Sequence, residues 1–178
     1  MKIFITMILF GLMMISCSES TDPNYDDEIS LIENLGIKDA ISKANEWRST
    51  KSNIKSYVTT EELVIQFPDS REVRKNLPSN EMYVAIAPYI NTTHTCSEHY
   101  ISTCKAELVN KEFEVNATIG NNIILNERIT SLDNGFFELW LPRNQTINVK
   151  VSYMSLTSGE TIKTDKNSRT CFTTFKLE

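Results

Sequence analysis

The sequence predicts an α+β protein, with a small N-terminal helix-plus-hairpin domain followed by a C-terminal antiparallel β-sandwich-like domain. Three observations predict it. Apolar residues between Ile29 and Trp47 recur at helical spacing. From Leu63 onward the period falls to two or to short unbroken apolar runs. Short strand-like segments separated by turn residues then continue to the C-terminus, the pattern of a sandwich. A chain of 178 residues has room for one or two small domains of this kind.

Residues 1–17 read as an address. Lys2 precedes an apolar run from Ile3 to Ile15, broken only by Thr6 and Gly11, which is a charged start followed by an export-signal core. The run is shorter than the roughly 20 residues a membrane span needs. It ends Met14-Ile15-Ser16-Cys17, which resembles a bacterial lipobox, with Met14 where leucine is usual. Export to the periplasm is expected, with Cys17 lipidated and the membrane touched only through that lipid; plain cleavage near Ser16 is the other reading. Residues 18–27 are polar and acidic and read as a tether.

In the small α+β domain, residues 28–88, Ile29, Ile32 and Leu35 recur at spacing three and Gly36 interrupts. Ile37, Ala40, Ile41, Ala44 and Trp47 then follow the 3.6-residue period, so one broken helix or two short ones are expected. Ser49 to Asn53 is a polar link. Leu63 to Phe67, a turn at Pro68-Asp69-Ser70, and Arg71 to Arg74 read as a hairpin. Met82 to Ala87 reads as a buried strand ended by Pro88. A unit of about sixty residues is marginal in size.

In the β-rich domain, residues 89–178, Phe113 to Ile119 alternates strictly and Gly120-Asn121-Asn122 turns it. Ile123 to Ile129, Phe136 to Leu141 and Ile147 to Tyr153 are further strands. Asn134-Gly135 is expected to be a hairpin turn, because both residues tolerate positive φ, and a last strand is expected from Thr170 to Leu177.

Charge and sulfur narrow the function. With 18 basic side chains against 23 acidic ones, a net charge of −5, no cationic excess exists to neutralise phosphates, so nucleic acid is excluded as a partner. Two histidines exclude most multi-imidazole metal sites. Once residues 1–17 are removed, only Met82 and Met154 remain of six methionines, so a thioether copper motif is absent. Three cysteines remain, Cys96, Cys104 and Cys171, in a compartment where thiols are usually paired. An odd count allows one internal disulfide and leaves one thiol over.

Both histidines and two of those cysteines fall within His94-Thr95-Cys96-Ser97-Glu98-His99-Tyr100-Ile101-Ser102-Thr103-Cys104. Three readings stay open. One is a structural disulfide between Cys96 and Cys104, with Cys171 unexplained. A second is a nucleophilic cysteine whose pKa an imidazole lowers, although no orienting partner is evident. The third is a soft-metal site, in which thiolates and imidazole select Cu(I) or Zn(II) over Mg, Ca and Mn.

Two thiolates on one metal lie within about 4.6 Å, twice a metal–thiolate bond. Eight residues of helix would separate Cys96 from Cys104 by roughly 12 Å, and eight of strand by more than about 26 Å. The segment must therefore fold back as a loop or short helical turn, and Cys171 joins only if the last strand runs beside it. Glu98 and Glu107 flank the cluster and read as solvated surface, with tuning of the metal ligands as the other reading; Phe137 and Trp140 read as core, and Tyr100 is placed to shield a metal from water.

Four stretches together resemble the CueP family of periplasmic copper-binding proteins: Thr93 to Glu107-Leu108 through the cluster, Met82 to Pro88-Tyr89, Gly135-Phe136-Phe137-Glu138-Leu139-Trp140-Leu141-Pro142-Arg143, and Thr170-Cys171-Phe172-Thr173-Thr174-Phe175-Lys176-Leu177. The resemblance runs from about Ile29 to the end. It implies that Cys96, Cys104 and Cys171 are the copper thiolates, with His94 or His99 nearby. It also implies copper resistance by sequestration, delivery of copper to a periplasmic superoxide dismutase, and a homodimer through the N-terminal part.

On this reading the chain is not an enzyme. The cargo is Cu(I), with Zn(II) as a competitor, and thiol-driven reduction of Cu(II) is a side activity. The alternatives are a thiol-disulfide redox protein with a Cys96/Cys104 pair, and an interaction lipoprotein without metal dependence.

Overall fold

The computed structural model describes residues 24–178, so the export segment, Cys17 and most of the tether lie outside the described residues. Two helices open the fold, α1 (Asp26–Asn34) and α2 (Ile37–Thr50). Asp26, Asp27 and Glu28 occupy the first turn of α1, where carboxylates oppose the positive end of the helix dipole. Leu35 and Gly36 are extended and separate the helices, so the period that Gly36 interrupts belongs to two helices. The buried stripe of α2 is Ala40, Ile41, Ala44 and Trp47.

That stripe covers a three-stranded antiparallel sheet of β1 (Lys55–Val58), β2 (Glu62–Gln66) and β3 (Glu72–Asn76), in that order. The β2–β3 hairpin turns at Pro68 to Ser70, with Ser70 at φ 71°. Strand β1 has too few apolar residues to announce itself: Lys55-Ser56-Tyr57-Val58 is recruited by pairing with β2.

The middle layer is a second sheet, with β4 (Glu81–Ile86) flanked by β7 (Phe137–Pro142) and β10 (Cys171–Phe172). β4 runs antiparallel to β7 and parallel to β10, with Cys171 opposite Ala85 and Phe172 opposite Ile86. Both faces of this sheet are covered, which is why β4 reads as unbroken apolar sequence. Tyr83, Ala85, Ala87 and Cys171 face the core shared with the helices and the first sheet. Met82, Val84, Ile86, Leu139, Leu141 and Phe172 face a second core.

A third sheet closes that second core, with order β6 (Asn122–Thr130), β5 (Glu112–Ile119), β8 (Thr146–Tyr153), β9 (Leu156–Lys163). Its inward residues include Phe113, Val115, Ala117, Ile147, Val149, Val151 and Ile162. The architecture is α+β, an N-terminal helix-and-hairpin unit followed by a sandwich.

Besides β1, three details depart from the sequence expectation. Strand β9 is polar on its outer face and sends Ile162 alone fully inward, so its alternation is too weak to read. The Asn134-Gly135 turn does not join a hairpin, because β6 and β7 belong to different sheets and the chain crosses between them there. The last strand is two residues long, with a single further bridge from Lys176 to Tyr89, because Thr173 turns aside to hold the loop that carries His94.

Candidate metal centre

Pro88 ends β4, and residues 87–111 form no helix or strand before β5 begins. Side-chain and backbone hydrogen bonds replace the missing ladder. Glu107 grips the start of this segment: its Oε2 accepts from the backbone N–H of Ile90, Asn91 and Thr92 at 2.9, 2.9 and 3.2 Å, and its Oε1 from Asn91 Nδ2 at 2.9 Å. Four donors favour the anion and hold the carboxyl down at about 2.

On the other side, Thr93 Oγ1 donates to the Thr173 carbonyl and Thr173 Oγ1 donates to the His94 carbonyl, both at 2.5 Å. Thr170 works similarly at the far end, accepting from His99 N at 3.1 Å and donating to the Val58 carbonyl at 2.7 Å. The Thr170 and Cys171 N–H groups both donate to the Ser97 carbonyl. A helical turn follows, closed by Cys104 N donating to the Tyr100 carbonyl at 2.8 Å, and it carries Cys104 back beneath Cys96. This is the fold-back that the eight-residue spacing demands.

All three sulfurs converge. Cys96 and Cys171 are joined as a disulfide with Cα atoms 5.5 Å apart, and Cys104 is free. The pairing differs from the Cys96–Cys104 disulfide considered from sequence. Contact between Ser97 and the β10 backbone brings Cys171, 75 positions away, closer to Cys96 than Cys104 comes. Cys104 Sγ lies 3.8 Å from Cys96 Sγ. Two thiolates bound at about 2.3 Å with trigonal or tetrahedral angles stand roughly 3.8–4.0 Å apart, so this spacing already suits a shared metal. Burial pushes the Cys104 thiol up, so it stays protonated until a metal displaces the proton.

The histidines divide. His94 is exposed on the loop, whereas His99 is fully buried between the Phe136 ring, 4.6 Å between centroids, and the Tyr83 ring at 6.1 Å. Burial, and secondarily the charge of His94, hold His99 down at about 3, so its imidazole is neutral and able to coordinate. Neither Nδ1 nor Nε2 of His99 has a hydrogen-bond partner. A buried polar atom left unpaired costs about 1–3 kcal/mol, and a soft metal at this position would satisfy one.

Two overlapping donor sets result, His94 with Cys96 and Cys104, and His99 with Cys104 and Cys171, each with its donor atoms within 4.8 Å of one another. All five residues singled out from sequence are thus neighbours. A cleft of about 670 Å³ opens over His94, Cys96 and Cys104, with Glu98, Tyr100 and Lys105 on its rim. Tyr100 is half exposed and stacks on Tyr57 at 5.2 Å, so it forms the wall of the cleft.

Beneath the site Glu138 accepts from Tyr83 Oη and Asn45 Nδ2, each at 2.7 Å, and burial raises its carboxyl. Sequence reading favoured solvated surface for Glu107, which instead holds the loop, and missed Thr170, Thr173 and Tyr83. Only the threonines leave a trace, as polar residues flanking Cys171 where a sandwich strand would carry apolar ones.

No curated protein matches this chain. A solved structure titled "Crystal Structure of S.CueP" is similar to it at 26% identity with a TM-score of 0.77, covering 85% of this chain and 97% of that one. The family model described as "Periplasmic copper-binding protein CueP" matches residues 37–176, which include the cleft, both donor sets and all three sheets. The chain belongs to the CueP family of periplasmic copper-binding proteins.

Proposed function

We propose that this chain is an exported lipoprotein, anchored through Cys17, that sequesters Cu(I) on the thiolates of Cys96, Cys104 and Cys171 with imidazole support and so contributes to copper resistance. The observation that carries it is the convergence of three sulfurs in two overlapping donor sets, of which Cys104 and Cys171 lie beside His99, a buried neutral imidazole with both nitrogens unpartnered. Cu(I) is a soft cation, so it prefers this set to the carboxylates and carbonyls nearby. Zn(II) competes for the same donors but favours four-coordinate sites. Hand-off to a periplasmic superoxide dismutase and a homodimer complete the proposal; both come from the family resemblance alone.

Loading requires the Cys96–Cys171 disulfide to be open. The thiol form also supports a redox step that balances. Two Cu(II) ions take one electron each as the Cys96 and Cys171 thiols lose two protons and join, giving two Cu(I) and the disulfide.

The test is Cu(I) titration of the reduced chain against a chromophoric chelator. Near one Cu(I) per chain, lost on Cys104→Ser, is expected; full affinity in Cys96→Ser, Cys104→Ser and Cys171→Ser would overturn the reading. The disulfide itself favours a second reading, a thiol-disulfide protein in which copper is incidental. Mass spectrometry of alkylated protein from copper-replete cells separates the two: a Cys96–Cys171 disulfide unaffected by copper supports the second.

A further inference from the structure

Cys104 belongs to both donor sets, and the two sets differ in access. His94, Cys96 and Cys104 line the open cleft; His99 and Cys171 do not, and both are wholly buried. An ion arriving from solvent therefore meets the His94 set before it can reach the inner one. Resting on the copper reading above, we infer that the site has two stations for Cu(I): an outer landing station of His94, Cys96 and Cys104, and an inner holding station of His99, Cys104 and Cys171. Cys104 is the pivot on which the ion passes between them.

The step is a ligand exchange without redox change. The thiols of the reduced chain each lose a proton when bound. As the ion moves inward, Cys171 gives up its proton, Cys96 takes one back, and His99 replaces His94, so charge is conserved. Cys104 stays bound throughout, so the ion moves by at most about 4.6 Å, twice a metal–thiolate bond. Low-coordinate Cu(I) has no strong geometric preference that would trap it midway.

The two ends are built for different work. Inside, water is excluded and the His99 nitrogens have no protein partner that a metal must displace. Outside, the His94 carbonyl is tied to the chain near Cys171 by Thr173, and Glu107 holds the preceding Ile90–Thr92 backbone, while the His94 ring remains solvent-exposed. A ligand on a fixed backbone but in open solvent is suited to collecting and releasing an ion. The same station, used in reverse, is where an acceptor would take the copper.

The experiment separates rate from equilibrium. The full chain is reduced under anaerobic conditions, and Cu(I) is presented as its bicinchoninate complex, with partition and stopped-flow exchange followed in both directions. His94→Ala is expected to slow uptake and release alike by about tenfold while leaving the equilibrium affinity within about threefold, because a landing ligand alters the path and not the end state. His99→Ala is expected to lower the affinity by about tenfold or more while the initial uptake rate is kept. Cys171→Ser, a smaller change in the same inner set, should show the same loss of affinity with the uptake rate kept, and it takes the place of His99→Ala where circular dichroism shows that removing the buried ring disturbs folding.

Equal loss of affinity in His94→Ala and His99→Ala with unchanged rates would overturn the two stations and leave a single site with both imidazoles. A His94→Ala variant unchanged in rate and affinity would overturn them too. If the wild-type chain takes up no Cu(I), or Cys104→Ser keeps full affinity, the copper reading itself fails and the stations with it.

Discussion

Reducing the Cys96–Cys171 disulfide should destabilise the chain, and Cu(I) should restore most of the loss. The bridge closes a loop of 75 residues, and the chain-entropy relation assigns such a loop about 4.5 kcal/mol of stabilisation at 25 °C. Each kcal/mol moves the melting temperature of a chain of this size by about 2–4 °C, so reduction should lower the midpoint by about 9–18 °C. Copper held between Cys104 and Cys171 closes nearly the same loop. Free Cu(I) at a thousand times its dissociation constant adds about 4.1 kcal/mol, close to what the disulfide supplied.

The assay is thermal and urea unfolding of the oxidised, reduced and reduced Cu(I)-loaded chain, with Cys104→Ser as control. The ordering oxidised, then copper-loaded, well above reduced apo is expected. A reduced chain with the oxidised midpoint would refute the loop argument. A Cu(I) effect that persists undiminished in Cys104→Ser would refute the assignment of Cys104 to the site.

Three further outcomes follow from the same contacts. Gly135 sits at φ 82° with the Ala106 carbonyl oxygen 2.8 Å from where a Cβ would stand, two residues from Cys104; Gly135→Ala should cost about 2–4 kcal/mol in urea unfolding from positive-φ strain and overpacking, and should weaken Cu(I) binding. Glu107→Gln keeps the shape but loses the anion that holds three backbone N–H groups. It should lose about 1–3 kcal/mol of stability, and because the carboxyl is held down at about 2 from an ordinary 4.5, its contribution persists above pH 4.5 and disappears as pH falls toward 2.

His99 is held at about 3 against 6.5 when unfolded, so the unfolded chain binds the extra proton first and stability falls as pH drops from 6.5 toward 3. By pH 5.5 the apo chain should have lost about 1–2 kcal/mol on this account. Glu138, raised by burial, acts in the opposite direction. Comparison with His99→Gln over the same pH range isolates the imidazole, and an identical pH slope in that variant would refute its assignment as buried and neutral.

The helical period from Ile37 to Trp47, the alternation from Phe113 to Ile119 and the unbroken run from Met82 to Ala87 are local signals, and each became the element it suggested. Strands β1 and β9 carry no such signal, since pairing partners recruit them and their own apolar content does not. At the site, chain proximity brings His94, Cys96, His99 and Cys104 together, and the distance between metal-bound thiolates requires the fold-back; those inferences need nothing beyond sequence.

Tertiary structure alone decided that Cys96 bonds to Cys171, that His99 points inward while His94 faces solvent, and that Cys104 serves both donor sets. These depend on β10 lying parallel beside β4 and on Thr170, Thr173 and Glu107 tying distant segments together. Such contacts are set by which surfaces pack across large sequence separations, and no local period in the chain encodes them.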